Sequence, residues 1–250
     1  MFVVEGKREL VRCLDAGYSV RTLFACPEIC RSEDIEAICG KIRSQKPLPG
    51  GDQPVLIEIP ARLYGKTAYR GTTEGLIAEV IIREKSLADL ELGPDPLIIV
   101  LEAVEKPGNL GAVLRSADAA GADAVIICDP LTDLYNPNLI RASTGAIFTT
   151  RTAAATSEET IRWLKSNGIR ILTAQLQDSE LYYDIDMTGG TAIVMGTEST
   201  GLTDIWRKNA DRHIRIPMLG NPDSLNVSVS AAILLYEAVR QRNHKQRKRP

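Results

Sequence analysis

Hydrophobic and polar residues follow one another along the chain with two different periods. Continuous apolar runs bounded by Gly, Pro or Asp indicate strands that are buried on both faces. Runs with apolar residues three and four positions apart, ended by Gly17, Gly121 or Gly168, indicate helices. Because the two kinds of run alternate regularly after residue 96, this part of the chain is predicted to form a parallel α/β sheet with helices on both faces.

The same pattern gives the individual elements. The predicted strands are SVRTLFAC, VLIEIP, GLIAEVII, PLIIVLEAV, ADAVIICD, IRILTA, TAIVMG and HIRIP. The predicted helices are VEGKRELVRCLDAG, residues 32–42, 110–120, 137–143 and 158–167, TDIWRKN, and a long final helix in SLNVSVSAAILLYEAV. Ser32, Asn109 and Ser224 are expected to be helix N-caps, since their side chains can accept hydrogen bonds from first-turn amides.

A break in the pattern divides the chain into two domains. The stretch EKSLADLELGPDP has many charges, two prolines and no strong period, so residues 85–95 are expected to be a linker. Residues 1–84 then form a small helix and strand sandwich with its own core, and residues 96–250 form the larger α/β domain.

Composition and charge restrict the class of protein. Hydrophobic residues make up 44% of the chain and charged residues 25%, as in ordinary globular proteins. The net charge of −2 does not indicate nucleic-acid binding, which is usually accompanied by a basic domain or a basic face. The C-terminus is locally basic, which indicates either a phosphate contact or a frayed solubilising tail. Its basic residues are Arg240, Arg242, Lys245, Arg247, Lys248 and Arg249.

Five cysteines, an odd number without a secretory leader, indicate reduced thiols and a cytoplasmic protein. No metal is expected, because Cys26, Cys30 and Cys39 have no histidine nearby and match no common zinc spacing. No membrane association is expected either, since no apolar run reaches the roughly 18 residues that a spanning helix needs.

Three loops that follow predicted strands combine glycines with polar side chains, at the edge where open α/β sheets bind ligands. They are EKPGNLGAVLR, MGTESTGL and IPMLGNPDSLN. Helix capping alone accounts for part of each pattern, so a structural reading stays open for each loop. A nicotinamide or flavin enzyme is disfavoured, because G-x-G-x-x-G is absent from the sequence.

Read together, PGNLGAVLRSADAAGA, VMGTESTGL and IPMLGNPDSLNVSVSAAILLYEA resemble the motifs of the SpoU (TrmH-like) family of RNA ribose 2′-O-methyltransferases, in the SPOUT superfamily. RASTGAIF is also similar to the family, and the resemblance covers residues 97–243. The N-terminal segment resembles, more weakly, the family's small substrate-binding domain, which is similar to RNA-binding ribosomal proteins.

The resemblance implies an α/β fold whose C-terminal part threads a trefoil knot, S-adenosyl-L-methionine as cofactor, and a homodimer formed through the C-terminal domain. It favours ribosomal RNA as substrate. Transfer RNA is the alternative substrate, and a non-catalytic RNA-binding protein that keeps the fold is the alternative function.

The resemblance also implies roles for individual residues. Arg115 would stabilise the developing alkoxide of the attacking ribose hydroxyl or bind an adjacent phosphate. The implied catalytic residues are Asn109, Arg115, Glu198, Ser224 and Asn226. The implied cofactor contacts are Ala174, Gly196, Thr197, Ile216, Met218 and Leu225.

Overall fold

The computed structural model describes the backbone of residues 1–69, 74–197, 200–221 and 223–247, and the side chains of these residues up to 244. The chain forms two compact units. The first unit comprises Met1–Glu84 and Tyr135–Thr149, and the second comprises Lys85–Leu134 and Thr150–Pro250. The second unit therefore contains the three loops expected to carry the site.

Strands and helices alternate along most of the described chain. In chain order the strands are β1 (Phe2–Glu5), β2 (Val20–Ala25), β3 (Val55–Glu58), β4 (Leu76–Val80), β5 (Leu97–Glu102), β6 (Ala124–Cys128), β7 (Thr152–Ala155), β8 (Arg170–Ala174), β9 (Glu180–Leu181), β10 (Thr191–Met195) and β11 (Arg212–Arg215). The helices are α1 (Lys7–Asp15), α2 (Ser32–Arg43), α3 (Ala61–Thr67), α4 (Pro107–Ala120), α5 (Pro137–Ala142), α6 (Ala146–Thr149), α7 (Ser157–Ser166), α8 (Asp204–Asn209) and α9 (Val227–Arg247).

The first unit is built on a mixed sheet in the order β1-β4-β2-β3, in which β4 is antiparallel to β1 and β2, and β3 is parallel to β2. An aromatic cluster in this unit includes residues from the late segment 135–149. The ring of Phe2 stacks on that of Tyr135 at 4.2 Å, and Phe148 meets the edge of Tyr18 at 5.2 Å. The core of the first unit is therefore completed by residues that follow β6 in the chain.

The second unit contains a seven-stranded sheet in the order β7-β6-β5-β10-β8-β11-β9, with parallel pairing between all neighbours. Successive residues of a strand point to opposite faces, and every residue of β5, β6 and β10 is buried. Both faces of the sheet are therefore covered, as the continuous apolar runs predict. The predicted α/β class and parallel sheet are confirmed.

The stretch expected to be a linker packs within the second unit. Leu87, Leu90 and Leu92 lie against the apolar cluster formed by the sheet with α7 and α8. Ser86 and Asp89 exchange hydrogen bonds in a capping box that begins a short 3-10 turn. Residues 85–92 are therefore anchored by apolar side chains that the charged residues between them obscure in the sequence.

The three predicted N-caps are wrong by one, three and two residues, in chain order. Helix α2 begins at Ser32 itself, so the capping position is Arg31. Helix α4 begins at Pro107, because proline suits a first turn whose amides have no helical partner, and Asn109 is therefore its third residue. Helix α9 begins at Val227, and it is the Asn226 side chain that accepts from the Ser228 amide at 3.0 Å.

Two of the basic C-terminal residues have structural partners within the second unit. Arg240 forms an ion pair with Glu237 at 2.7 Å. The Arg242 guanidinium donates to the carbonyl oxygens of Asp95 at 2.7 Å and Gly189 at 2.8 Å, and burial lowers the pKa of this side chain. The side chains of Lys245 and Arg247, and Lys248 and Arg249 altogether, lie outside the described residues.

Candidate active site

A cavity of about 380 Å³ lies in the second unit, at the carboxyl ends of three adjacent strands. These strands are β10, β8 and β11, which are neighbours in the sheet and parallel. Ligands bind at this edge of open α/β sheets because the loops that leave the strands present backbone and side-chain polar groups there. The cavity is therefore the candidate ligand site of the chain.

All the residues implied as cofactor contacts line this cavity. Ala174 is the last residue of β8, Gly196 and Thr197 follow β10, and the remaining three follow β11. They are Ile216, Met218 and Leu225, and Ser224 lies beside them in the wall. The structure thus brings together seven residues that are separated by up to 51 positions in the chain (225 − 174).

The loop after β10 folds tightly back on itself. A Cβ atom on Gly196 would lie 2.3 Å from the carbonyl carbon and oxygen of Gly201, a separation that side chains do not tolerate. Thr197 pairs with Gly201 in an isolated antiparallel bridge, and its hydroxyl accepts from the Thr200 amide at 3.1 Å. Glycine at 196 is therefore required by packing. Glu198 belongs to this loop and lies outside the described residues.

A buried carboxylate holds the far end of this loop, and sequence reasoning missed it. Glu102, the last residue of β5, is 3% exposed and accepts from the Thr203 amide at 2.9 Å. Its other oxygen accepts from the Thr203 hydroxyl at 2.5 Å and lies 3.3 Å from the Ser157 hydroxyl. Ser157 in turn accepts from the Trp206 indole at 2.9 Å. The available signal was an acid at the end of an otherwise apolar strand.

Two of the implied catalytic residues are in contact. The side-chain nitrogen of Asn226 donates to the side-chain oxygen of Asn109 at 3.1 Å, which joins the start of α9 to the first turn of α4. Asn226 also accepts from the Ser228 hydroxyl at 2.6 Å. Neither asparagine is among the described residues that line the cavity. Asn226 directly follows the lining residues Ser224 and Leu225 in the chain, and Asn109 is joined to it by the hydrogen bond.

Arg115 lies further along α4 and is exposed to solvent. It is six residues beyond Asn109, which corresponds to about 9 Å along a helix axis. Arg115 is not among the described residues in the cavity wall. The structure therefore places it on the surface of the second unit rather than in the cavity.

Two polar atoms in the cavity wall find no hydrogen-bond partner among the described residues. They are the side-chain oxygen of Gln175 and the Nε atom of Arg207. A buried polar atom left unsatisfied costs about 1–3 kcal/mol. A ligand that offered an acceptor to Arg207 and a donor to Gln175 would remove this cost, and S-adenosylmethionine carries both kinds of group. The cavity therefore suits the implied cofactor.

Other chemistry near the sheet edge is limited. Burial raises the pKa of the Cys128 thiol, at the end of β6, to about 12, so this cysteine is not a thiolate nucleophile at neutral pH. The described side chains contain no group of three or more His, Cys, Asp or Glu that could hold a metal ion. Within the described ranges, no helix has the length and apolar character needed to cross a membrane.

An α/β sheet with a ligand cavity at its carboxyl edge defines a broad class of enzymes, and comparison with known proteins specifies which one. The model of the SpoU rRNA Methylase family matches residues 96–236. The 23S rRNA (guanosine-2′-O-)-methyltransferase RlmB of Pseudomonas syringae is 38% identical over 186 residues, which cover 71% of this chain and 74% of that protein. This chain belongs to the SpoU rRNA methylase family.

Solved structures agree over nearly the whole chain. A crystal structure of an RNA 2′-O ribose methyltransferase is 39% identical, has a TM-score of 0.80, and covers 97% of this chain and 89% of that one. The SpoU methyltransferase AviRb from Streptomyces viridochromogenes, in complex with the cofactor AdoMet, is 28% identical with a TM-score of 0.85. That match covers 97% of this chain and 90% of AviRb.

Proposed function

We propose that this chain is an S-adenosylmethionine-dependent methyltransferase that modifies a ribose 2′-hydroxyl of ribosomal RNA. The observation that carries the proposal is the cavity at the ends of β8, β10 and β11, whose wall contains every residue implied as a cofactor contact. Its unsatisfied polar atoms on Gln175 and Arg207 match a ligand with both donors and acceptors. Because ribosomal RNA is the substrate, the enzyme acts in the cytoplasm.

The residues around the cavity have different roles in the proposed reaction. Bound S-adenosylmethionine supplies an activated methyl group on a sulfonium. Asn109 and Asn226, fixed by their mutual hydrogen bond, orient the ribose beside the cavity, and Glu198 and Ser224 complete this positioning. Because a guanidinium group stays protonated at neutral pH, Arg115 does not act as a base, and it stabilises the developing alkoxide or binds the adjacent phosphate. An RNA phosphate oxygen accepts the hydroxyl proton.

The two units have different tasks in this proposal. The second unit carries the chemistry, and the first unit, which includes residues 1–84, recognises the RNA. The first unit contains a cavity of about 140 Å³ whose wall includes the exposed Tyr69 and Arg141. Arg8 also lines it but is paired with Glu9 at 2.6 Å, and Glu5 and Glu74 lie in the same wall. Tyr69 and Arg141 supply an aromatic ring and a cation, the groups that hold unstacked bases and phosphates, which supports an RNA-binding role for the unit.

The assembly and topology are part of the same proposal. Val229, Ile233 and Tyr236 share one face of α9, and Val229 and Tyr236 are 47% and 51% exposed. An apolar helical face of this kind supports a homodimer formed through the second unit. The strand β10 lies between β5 and β8, although both precede it in the chain. This order is compatible with a C-terminal segment that threads a trefoil knot.

Incubation of the purified chain with methyl-labelled S-adenosylmethionine tests the function. The substrates are ribosomal RNA and transfer RNA from cells that lack the protein, followed by mapping of 2′-O-methyl groups. We expect one labelled ribose in ribosomal RNA. A label confined to transfer RNA would change the substrate. Cofactor and RNA binding without any label would instead support the non-catalytic RNA-binding alternative.

A further inference from the structure

Arg207 lies in the cavity wall without a buried charge partner among the described residues. It is on α8, and its guanidinium lies 3.9 Å from the position that a Cβ atom on Gly201 would occupy. Among the described residues it forms an ion pair with Asp204, whose side chain is 76% exposed and 4.0 Å away, the limit for such a pair. The Nε atom is buried and has no hydrogen-bond partner in the described part of the chain. The positive charge is therefore available to a ligand in the cavity.

Gln175 presents a hydrogen-bond acceptor to the cavity, whereas Arg207 presents a donor. It follows β8 directly, and its backbone amide donates to the Ile214 carbonyl at 3.0 Å, which fixes its position against β11. Its side-chain nitrogen donates to the Gln177 carbonyl at 2.9 Å. That bond assigns the orientation of the amide group, because a carbonyl can accept only from the nitrogen. The side-chain oxygen has no hydrogen-bond donor among the described residues, which leaves an acceptor in the wall.

We propose that Arg207 binds the carboxylate of S-adenosylmethionine and that Gln175 accepts a hydrogen bond from an O–H or N–H of its nucleoside. This inference rests on the proposed cofactor site and adds two binding residues to it. A guanidinium and a carboxylate form a charge-assisted hydrogen bond, which is stronger than a bond between neutral groups. The two contacts hold opposite ends of the ligand, so they fix its direction in the cavity as well as its affinity.

Truncation of the ligand separates the two contacts. 5′-Methylthioadenosine retains the nucleoside of S-adenosylmethionine but lacks its amino-acid part, and therefore its carboxylate. Isothermal calorimetry with both ligands is performed on the wild-type chain and on Arg207→Met and Gln175→Met. Both substitutions remove the polar atoms; methionine matches glutamine in length and keeps an unbranched apolar stem in place of arginine. Arg212→Met is the matched control, because Arg212 is an exposed arginine paired with Glu180 and is not among the cavity residues.

We expect Arg207→Met to weaken S-adenosylmethionine binding at least about tenfold and to change 5′-methylthioadenosine binding less than about twofold. Gln175→Met should weaken both ligands by a similar factor, and Arg212→Met neither. Retained 5′-methylthioadenosine binding also shows that the Arg207→Met cavity is folded.

Four results would overturn the inference. Unchanged S-adenosylmethionine binding in Arg207→Met, or an equal loss for both ligands, would remove Arg207 from the carboxylate while leaving the proposed function intact. Weaker RNA binding with unchanged cofactor binding would assign Arg207 to a phosphate of the substrate instead. If the wild-type chain bound neither ligand, the proposed function and this inference would both fail.

Discussion

The side chain of Asn226 connects two helices by donating to Asn109 at 3.1 Å and, through its oxygen, accepting from the Ser228 amide at 3.0 Å. One residue therefore begins α9 and fixes its position against the first turn of α4. The two tasks use different atoms, because the oxygen serves the cap and the nitrogen serves Asn109. Substitutions can separate them.

Replacement of Asn226 by aspartate should keep the cap and lose the donor to Asn109. We expect Asn226→Asp to unfold at nearly the wild-type urea concentration but to lose most methyl transfer. Asn226→Ala should lose both tasks, and its free energy of unfolding should fall by about 1 kcal/mol. Equal activity of the two variants and the wild type would show that the contact with Asn109 has no part in positioning the ribose.

The hydrogen bonds from Thr203 to Glu102 should hold the loop after β10 in the shape that the cofactor requires. Glu102→Leu leaves the Thr203 amide without its acceptor and should cost about 1–3 kcal/mol of stability and weaken cofactor binding in calorimetry. Glu102→Gln can keep both contacts, since the Thr203 hydroxyl can accept instead of donate, and should bind cofactor normally. Ser157→Ala is the comparison variant: it removes the hydroxyl that contacts Glu102, Asp129 and Trp206 but leaves both Thr203 bonds, so it should bind cofactor normally.

Gly196→Ala should weaken cofactor binding through a steric effect. The added methyl group meets the Gly201 carbonyl at 2.3 Å, so the loop must move out of the cavity wall. The same substitution at Gly40, inside α2, meets no described atom within 4 Å and should raise stability by up to about 1 kcal/mol. Wild-type cofactor affinity in Gly196→Ala would contradict the assignment of this loop to the site.

Arg115→Ala should abolish methyl transfer and leave cofactor binding largely unchanged, because Arg115 is exposed and is not among the described cavity residues. Transfer to a defined RNA and calorimetry with S-adenosylmethionine measure the two properties separately. Arg162→Ala removes another exposed helical arginine, on α7, and should retain activity. Full activity of Arg115→Ala on that RNA would exclude the proposed role.

The ion pair on α9 predicts a pH effect on stability. Hydrogen bonds from Arg240 hold the pKa of the Glu237 carboxyl below its ordinary value of 4.5. Because the pKa of Glu237 is lower in the folded chain than in the unfolded chain, the pair adds to the free energy of unfolding above about pH 4.5. This contribution is lost as the pH falls through the lower pKa of the folded state. Glu237→Gln and Arg240→Gln should both flatten the dependence of unfolding free energy on pH in this acidic range. An unchanged slope would show that the pair forms equally in the unfolded chain.

Much of the fold could be predicted from the sequence because buried parallel strands have a strong apolar signal. Every strand predicted from such a run is present. Three strands were missed. Strand β1 is FVVE, whose Val4 and Glu5 were assigned to the predicted helix VEGKRELVRCLDAG. Strand β7 is TAAA, whose small side chains resemble a helix or loop, and β9 has two residues. The extent of α4 was misjudged because Pro107 and Gly108 suggested a loop, although proline is favoured in a first turn.

The candidate site was predictable where a motif lies next to a strand end and not where contacts depend on tertiary packing. Ala174 ends β8 and Gly196 directly follows β10, so their meeting at one edge follows from parallel pairing. Gln175 and Arg207 are separated by 32 residues (207 − 175), and only the folded chain shows that both have unsatisfied atoms in the same cavity. The role of Glu102 could not be predicted either, because its partner Thr203 is 101 residues away in the chain.

The contribution of residues 135–149 to the first unit has a consequence for synthesis on the ribosome. Phe2 and Tyr18 are covered by Tyr135 and Phe148, so the aromatic core of the N-terminal unit is incomplete until those residues leave the exit tunnel. The first unit must then remain partly open while β5, β6 and α4 are translated. A gene fragment that ends at codon 84 would produce a polypeptide with an uncovered aromatic surface, and its expression should give aggregates unless the segment 135–149 is supplied in trans.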